Sequence, residues 1–193
     1  MQFEEIKPGS FIYRLGSALP GKFCAEIVNR FEQSQDEQYS GRIGQNAESD
    51  TTIKKTTDIR VSGRDNWRDV DARLFESLGQ ALGLISKLHP FFAVNQFKDT
   101  GYNLQRYQAG EYYQWHVDGG PGVFSQRQLV AIWYLNDVPG PGGETEFAFQ
   151  ELKVKPVAGD MLLFPPYWTH VHRAVEVLQG VKYIATTWVS YAE

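Results

Sequence analysis

The 193-residue chain is 42% hydrophobic and 22% charged, as ordinary globular proteins are, and its 12 Phe, 10 Tyr and 5 Trp supply bulk for a large core. Nineteen Lys and Arg against 23 Asp and Glu give a formal net charge of -4, with no basic stripe to neutralise a phosphate backbone, which argues against a nucleic-acid partner. The single cysteine, Cys24, excludes an internal disulfide and a thiolate zinc site, the N-terminus lacks the basic start and apolar core of a signal peptide, and the longest apolar run, Leu129–Leu135, is too short to span a bilayer. These features predict a single domain over residues 1–193 in a cytoplasmic protein that engages no membrane.

Pro20 is a good helix-start residue, and Phe23, Ile27 and Phe31 then recur every four positions beside Cys24 and Val28, so residues 20–33 are expected to be helical. Residues 35–57 turn to Gln, Ser, Asp, Gly and Asn, a composition that buries little apolar area, and read as a long mobile loop or a substrate-covering lid. Val70, Leu74, Leu78, Ala81 or Leu82, Ile85 and Leu88 mark the longest helix, stopped by Pro90. Beyond His89 come short β-branched and aromatic runs: 91–97, 103–107, 128–135, 161–164 and 183–191. No helices alternate with these runs, so a parallel sheet is excluded. The expected class is α+β, mainly β: a double-stranded β-helix (jelly roll) core over about residues 91–193, with a helical N-terminal part over about 1–90 packed outside.

Four histidines are present, at 89, 116, 170 and 172. In Tyr112-Tyr113-Gln114-Trp115-His116-Val117-Asp118 the composition is strand-like, so His116 and Asp118, two apart, share a face and can grip one ion. An imidazole and a carboxylate suit divalent iron, and a third ligand on a neighbouring strand would complete a two-histidine, one-carboxylate face. His170 and His172 both qualify, and spacing alone leaves the two tied. By itself His-x-Asp is weak evidence, because a strand histidine is more often a satisfied hydrogen-bonding residue. Cys24 reads as an inert thiol on an apolar helix face, and His89 as a helix-end residue. Gly142-Gly143 lacks the following lysine and helix of a phosphate loop and reads as a turn.

The ordered set Tyr107-x-x-Gly110-Glu111-Tyr112-Tyr113-x-x-His116-x-Asp118, Trp133-Tyr134-Leu135-Asn136-Asp137-Val138, Gly142-Gly143-Glu144-Thr145-Glu146-Phe147 and His172 followed by Gly180-x-Lys182 closely resembles the prolyl 4-hydroxylase-like group of iron(II) and 2-oxoglutarate dependent dioxygenases. The resemblance covers residues 100–190. It implies that His116, Asp118 and His172 are the metal and catalytic residues, because the family's distal histidine precedes a basic residue at the spacing of His172 to Lys182. It further implies that Lys182 anchors the far carboxylate of 2-oxoglutarate, that Tyr107, Tyr134 and Trp188 border the cosubstrate, and that Arg127 lies at the substrate mouth. The family commonly has Pro-Val after the distal histidine, where this chain has Ala174-Val175-Glu176-Val177.

The implied cofactors are Fe(2+), 2-oxoglutarate as cosubstrate, dioxygen and ascorbate. The implied reaction is hydroxylation of a prolyl residue in a peptide or protein, with release of succinate and CO2; a free amino acid or other small molecule is the alternative substrate. From another class, a non-catalytic jelly roll holding a metal or small acid would share the same residues.

Overall fold

Alternation within the strands and the 3.6-residue period of the helices decide which faces meet. In the computed structural model, which describes residues 2–192, the chain runs through β1 (Phe3–Glu5), β2 (Tyr13–Leu15), α1 (Gly21–Gln33), β3 (Tyr39–Ser40), β4 (Lys54–Lys55), β5 (Thr57–Arg60) and α2 (Arg68–Leu88). It continues through β6 (Phe97–Asp99), β7 (Asn103–Tyr107), β8 (Tyr112–His116), β9 (Arg127–Tyr134), β10 (Thr145–Phe147), β11 (Leu152–Val154), β12 (Met161–Phe164), β13 (His172–Ala174) and β14 (Lys182–Tyr191). A nine-stranded sheet has the order β1-β2-β12-β9-β14-β7-β5-β3, with β6 beside β14. A five-stranded sheet has the order β11-β10-β13-β8-β4, and the two form a jelly roll.

The apolar run along β9 follows from burial on both faces. Leu129, Ala131 and Trp133 point to the helices, whereas Val130, Ile132 and Tyr134 point into the space between the sheets. On the outer side α1 contributes Cys24, Ile27 and Phe31, and α2 contributes Val70, Leu74, Leu78, Ala81 and Ile85. The expected apolar stripe of α2 therefore holds, except that Leu88 is exposed, as are Phe91 and Val94 just beyond the helix end. No described helix is long and apolar enough to cross a membrane.

The N-terminal part is less purely helical than its composition suggests. Five short strands lie before residue 61 and extend both sheets. Residues 35–57, read as a loop, contain a 3-10 turn at Gln35–Glu37 and strands β3 and β4, held by the neighbouring β5 and β8. Residues 91–97, read as a strand, form a 3-10 turn at Phe92–Val94 before β6 begins. For β3 and β4 the pairing strands β5 and β8 decided the outcome over local composition, whereas the turn at Phe92–Val94 is held by local bonds to the His89 and Pro90 carbonyls.

One polar link crosses the helix–sheet interface. Trp133, fully buried, donates its indole N–H to Ser77 Oγ at 3.0 Å, and Ser77 in turn donates to the Ala18 carbonyl at 3.0 Å. Ser77→Ala strands a buried donor and a buried acceptor and is expected to destabilise the fold by about 1–3 kcal/mol. Urea unfolding followed by tryptophan fluorescence measures this, and an unchanged midpoint would show that the link contributes nothing.

Candidate active site

The two central strands of the small sheet carry the histidines. His116 ends β8, His172 begins β13, and the two residues are directly paired, with ring centroids 4.2 Å apart. Asp118 lies beyond the end of β8, where its N–H donates to the Pro166 carbonyl at 3.1 Å. One ligand atom from each of His116, Asp118 and His172 lies within 4.8 Å of the others. His172 Nε2 is 3.2 Å from Asp118 Oδ2.

Strict strand alternation would put Tyr113 and His116 on opposite faces. The β8–β13 pairing matches His172 with His116 but Ala174 with Tyr113, so β8 carries one extra residue. This bulge turns Tyr113 inward as well. Its ring stacks on His116 at 3.6 Å with an interplanar angle of 15°, and both residues line one cleft.

The tautomers follow from the partners of the other ring nitrogen. His116 Nδ1 lies 2.7 Å from the Gln114 carbonyl and His172 Nδ1 lies 2.9 Å from the His170 carbonyl. A carbonyl only accepts, so each Nδ1–H donates and each Nε2 keeps its lone pair for a metal. Burial, reinforced by neighbouring His172, pushes the His116 imidazole down to about 3, against the opposing pull of Asp118. Burial raises the Asp118 carboxyl, but neighbouring His172, His116 and Arg127 outweigh it and hold the group well below the usual carboxylate range. A neutral imidazole and an ionised carboxylate are the forms that bind a metal.

His170 belongs elsewhere. Trp168–His170 is a 3-10 turn, so His170 and His172, although two apart, do not share an extended face. The buried His170 ring places Nε2 2.8 Å from the Ser10 carbonyl and Nδ1 2.9 Å from Thr169 Oγ1, and burial lowers its pKa. His89 ends α2, and its Nε2 meets the Tyr13 hydroxyl at 2.5 Å. Cys24 is buried, and its thiol is pushed up to about 11 by that burial.

The cleft lies between the sheets and is lined by Tyr107, Tyr113, His116, Asp118, His172, Lys182 and Trp188 among others. Lys182 begins β14 in the large sheet and faces β13 from the opposite wall. Only 1% of Lys182 is exposed, and its Nζ sits 5.1 Å from the Tyr107 ring centroid and 5.7 Å from that of Tyr134. No carboxylate lies within ion-pair distance of it among the described residues. Burial lowers its pKa to about 7, with Glu144 opposing and Lys155 assisting.

Tyr107 donates to Gln105 Oε1 and Tyr134 donates to Thr145 Oγ1, each at 2.8 Å; burial keeps both phenols protonated. The buried Trp188 indole N–H has no acceptor among the described residues. Arg127 is sandwiched between Phe124 and Trp188, 4.0 and 3.9 Å from their ring centroids, and donates to the Asp118 carbonyl at 2.7 Å. It therefore secures the backbone of Asp118 and packs behind Trp188, and it is not among the residues that line the cleft.

The donor set, one carboxylate and two Nε2 lone pairs, suits divalent iron. An unpaired ammonium and an orphaned indole N–H in the same cleft suit an anion with further acceptor oxygens. Sequence reasoning did not assign Tyr113, Gln105 or Thr145 a place at this site. Tyr113 was hidden because a bulge leaves no mark in a residue pattern.

Residues 102–190 match the family model described as the 2OG-Fe(II) oxygenase superfamily. Prolyl 4-hydroxylase 13 of Arabidopsis thaliana is 32% identical over 116 residues, covering 46% of this chain and 42% of that protein. The chain thus spans less than half the length of that relative. PKHD-type hydroxylase YbiX of Escherichia coli is 29% identical over 185 residues, covering 89% of this chain and 76% of the relative. Among solved structures, a Trichoplax adhaerens prolyl hydroxylase in complex with a hypoxia inducible factor oxygen degradation domain peptide superposes with a TM-score of 0.79 at 18% identity, covering 94% of this chain and 84% of that one. In its jelly roll, its histidine–aspartate–histidine cluster and residues 102–190, the chain is similar to the 2OG-Fe(II) oxygenase superfamily and to the prolyl hydroxylases.

Proposed function

We propose that the protein is an iron(II)- and 2-oxoglutarate-dependent hydroxylase whose substrate is a prolyl residue in a peptide or protein. The observation that carries this reading is the pairing of a three-ligand cluster with an unpartnered buried ammonium on the opposite wall of one cleft. In this reading His116, Asp118 and His172 hold the metal, and Lys182 holds the far carboxylate of 2-oxoglutarate. Bound iron and 2-oxoglutarate would activate dioxygen, giving succinate and CO2 and hydroxylating an unactivated C–H bond.

The remaining work falls to the chain. Tyr107 and Tyr134 enclose the Lys182 ammonium, exclude water, and strengthen its attraction for an anion. Trp188 offers its free N–H to an oxygen within the cleft. Arg127 fixes the Asp118 carbonyl and packs against the Trp188 ring that lines the cleft. The Arabidopsis relative's name and the peptide complex of the Trichoplax protein support a prolyl peptide as substrate.

The direct test is succinate release under iron(II), 2-oxoglutarate and oxygen, screened over peptides and free amino acids, with mass analysis for one added oxygen. Stimulation by a proline-containing peptide is expected. Stimulation only by free amino acids would move the substrate to small molecules, and metal binding without any succinate would leave a non-catalytic binder.

Two further outcomes are expected. His116→Ala, Asp118→Ala and His172→Ala each lose at least tenfold in Co(II) affinity, the order seen when metal-site residues are disturbed, and lose turnover. His170→Ala keeps both. If His170→Ala removes the metal while His172→Ala does not, the ligand set is wrong.

Lys182 gives a pH signature. With a pKa of about 7 in the free protein, it is mostly neutral at pH 8 and mostly charged at pH 6. A carboxylate bound beside it restores the proton, so 2-oxoglutarate binding should take up nearly a full proton at pH 8 and much less at pH 6. Calorimetry in buffers of different ionisation enthalpy measures the uptake. It should vanish in Lys182→Met, and equal uptake at both pH values would exclude Lys182 as the anchor.

A further inference from the structure

Lys54 and Asp58 form a buried ion pair beside the cleft, and the chemistry described above does not use them. Each is 4% exposed, Lys54 Nζ lies 2.8 Å from Asp58 Oδ2, and Thr56 Oγ1 donates to Asp58 Oδ1 at 2.7 Å. Only Thr56 separates β4, the edge strand of the small sheet, from β5 in the large sheet. The chain thus changes sheets at a single residue, and the ion pair clasps that corner. Gly41 closes over it: a Cβ there would collide with Thr56 Oγ1 and crowd Lys54 Cε.

Desolvation offsets much of the attraction in a buried ion pair, and apolar residues of similar volume often stabilise a fold as well or better. What this pair supplies is direction. Lys54 is paired with Tyr113 across the β4–β8 ladder, and its Nζ lies 5.5 Å from the centroid of the Tyr113 ring, within cation–π range. The same ring stacks on His116. Contacts therefore run from the sheet corner through Asp58, Lys54 and Tyr113 to one histidine of the cluster.

We propose that Lys54, fixed by Asp58, is a positioning residue that holds Tyr113 against His116 and so sets how tightly the His116–Asp118–His172 cluster binds a divalent cation. This rests on the reading of that cluster as a metal site. The test is anaerobic Co(II) binding, measured by calorimetry and by the visible absorption of the bound ion. The double variant Lys54→Met/Asp58→Leu leaves no charge buried alone. It is expected to fold with an unchanged or raised Tm and to bind Co(II) about tenfold or more weakly, as when other supports of metal ligands are removed.

Tyr113→Leu should weaken binding similarly, and adding the double substitution to it should produce no further loss, because the clasp acts through that ring. Wild-type Co(II) affinity in the double variant overturns the proposal, and so does a full additional loss in the Tyr113→Leu background. If the double variant does not fold, Thr56→Val keeps both charges and removes only one hydrogen bond to Asp58. A smaller loss of affinity is expected there, and no loss overturns the proposal. Wild-type protein that binds no Co(II) removes the metal site itself, an outcome distinct from equal binding by wild type and variants.

Discussion

The antiparallel register that sets His116 opposite His172 is the constraint on which the site depends. Strand neighbours in direct pairing bring their side chains together without any dedicated scaffold, and a backbone carbonyl two residues before each histidine fixes its tautomer. A slip of one residue in either strand would carry one imidazole to the outer face. The bulge in β8 adds Tyr113 to the inner face and leaves Trp115 partly exposed on the outside. One local irregularity therefore decides both the ligand geometry and the aromatic wall beside it.

The large sheet serves two interiors at once. One face of β9 and β14 packs against the helices, and the other forms the far wall of the cleft. Lys182 remains buried, with no carboxylate partner among the described residues, on a strand covered on both faces. Its depressed pKa is the physical consequence, and the same desolvation would make its attraction for a bound anion strong. Stability and anion recognition thus draw on the same double burial.

The small sheet depends on the N-terminal part of the chain more than its composition suggests. β4 has only two residues, yet it completes the edge next to β8 and brings Lys54 to Tyr113. The loop it ends also reaches the turn after Asp118, where Gln45 Nε2 donates to the Pro121 carbonyl at 2.7 Å. Residues 35–57 are thereby part of the surroundings of the site, although a polar composition alone gives them no reason to be ordered.

Much was legible in the residues. The helical periods of α1 and α2 and the doubly apolar run of β9 encode the layers, because burial of a helix stripe or a strand face is a property of sequence spacing. The resemblance carried by Tyr107 through Lys182 indicated which residues to look for at a metal site. Sequence spacing left His170 and His172 tied, since both could face inward on an extended strand. The resemblance favours His172 by its spacing to Lys182, and the tertiary structure gives the physical separation, by turning Trp168–His170 into a 3-10 helix and pairing His172 with His116. The same holds for the bulge at Tyr113, the clasp at Lys54 and the position of Lys182 across the cleft. Each depends on which distant strand becomes a neighbour, and that choice is settled by the collective burial of two sheets, which no local stretch of residues specifies.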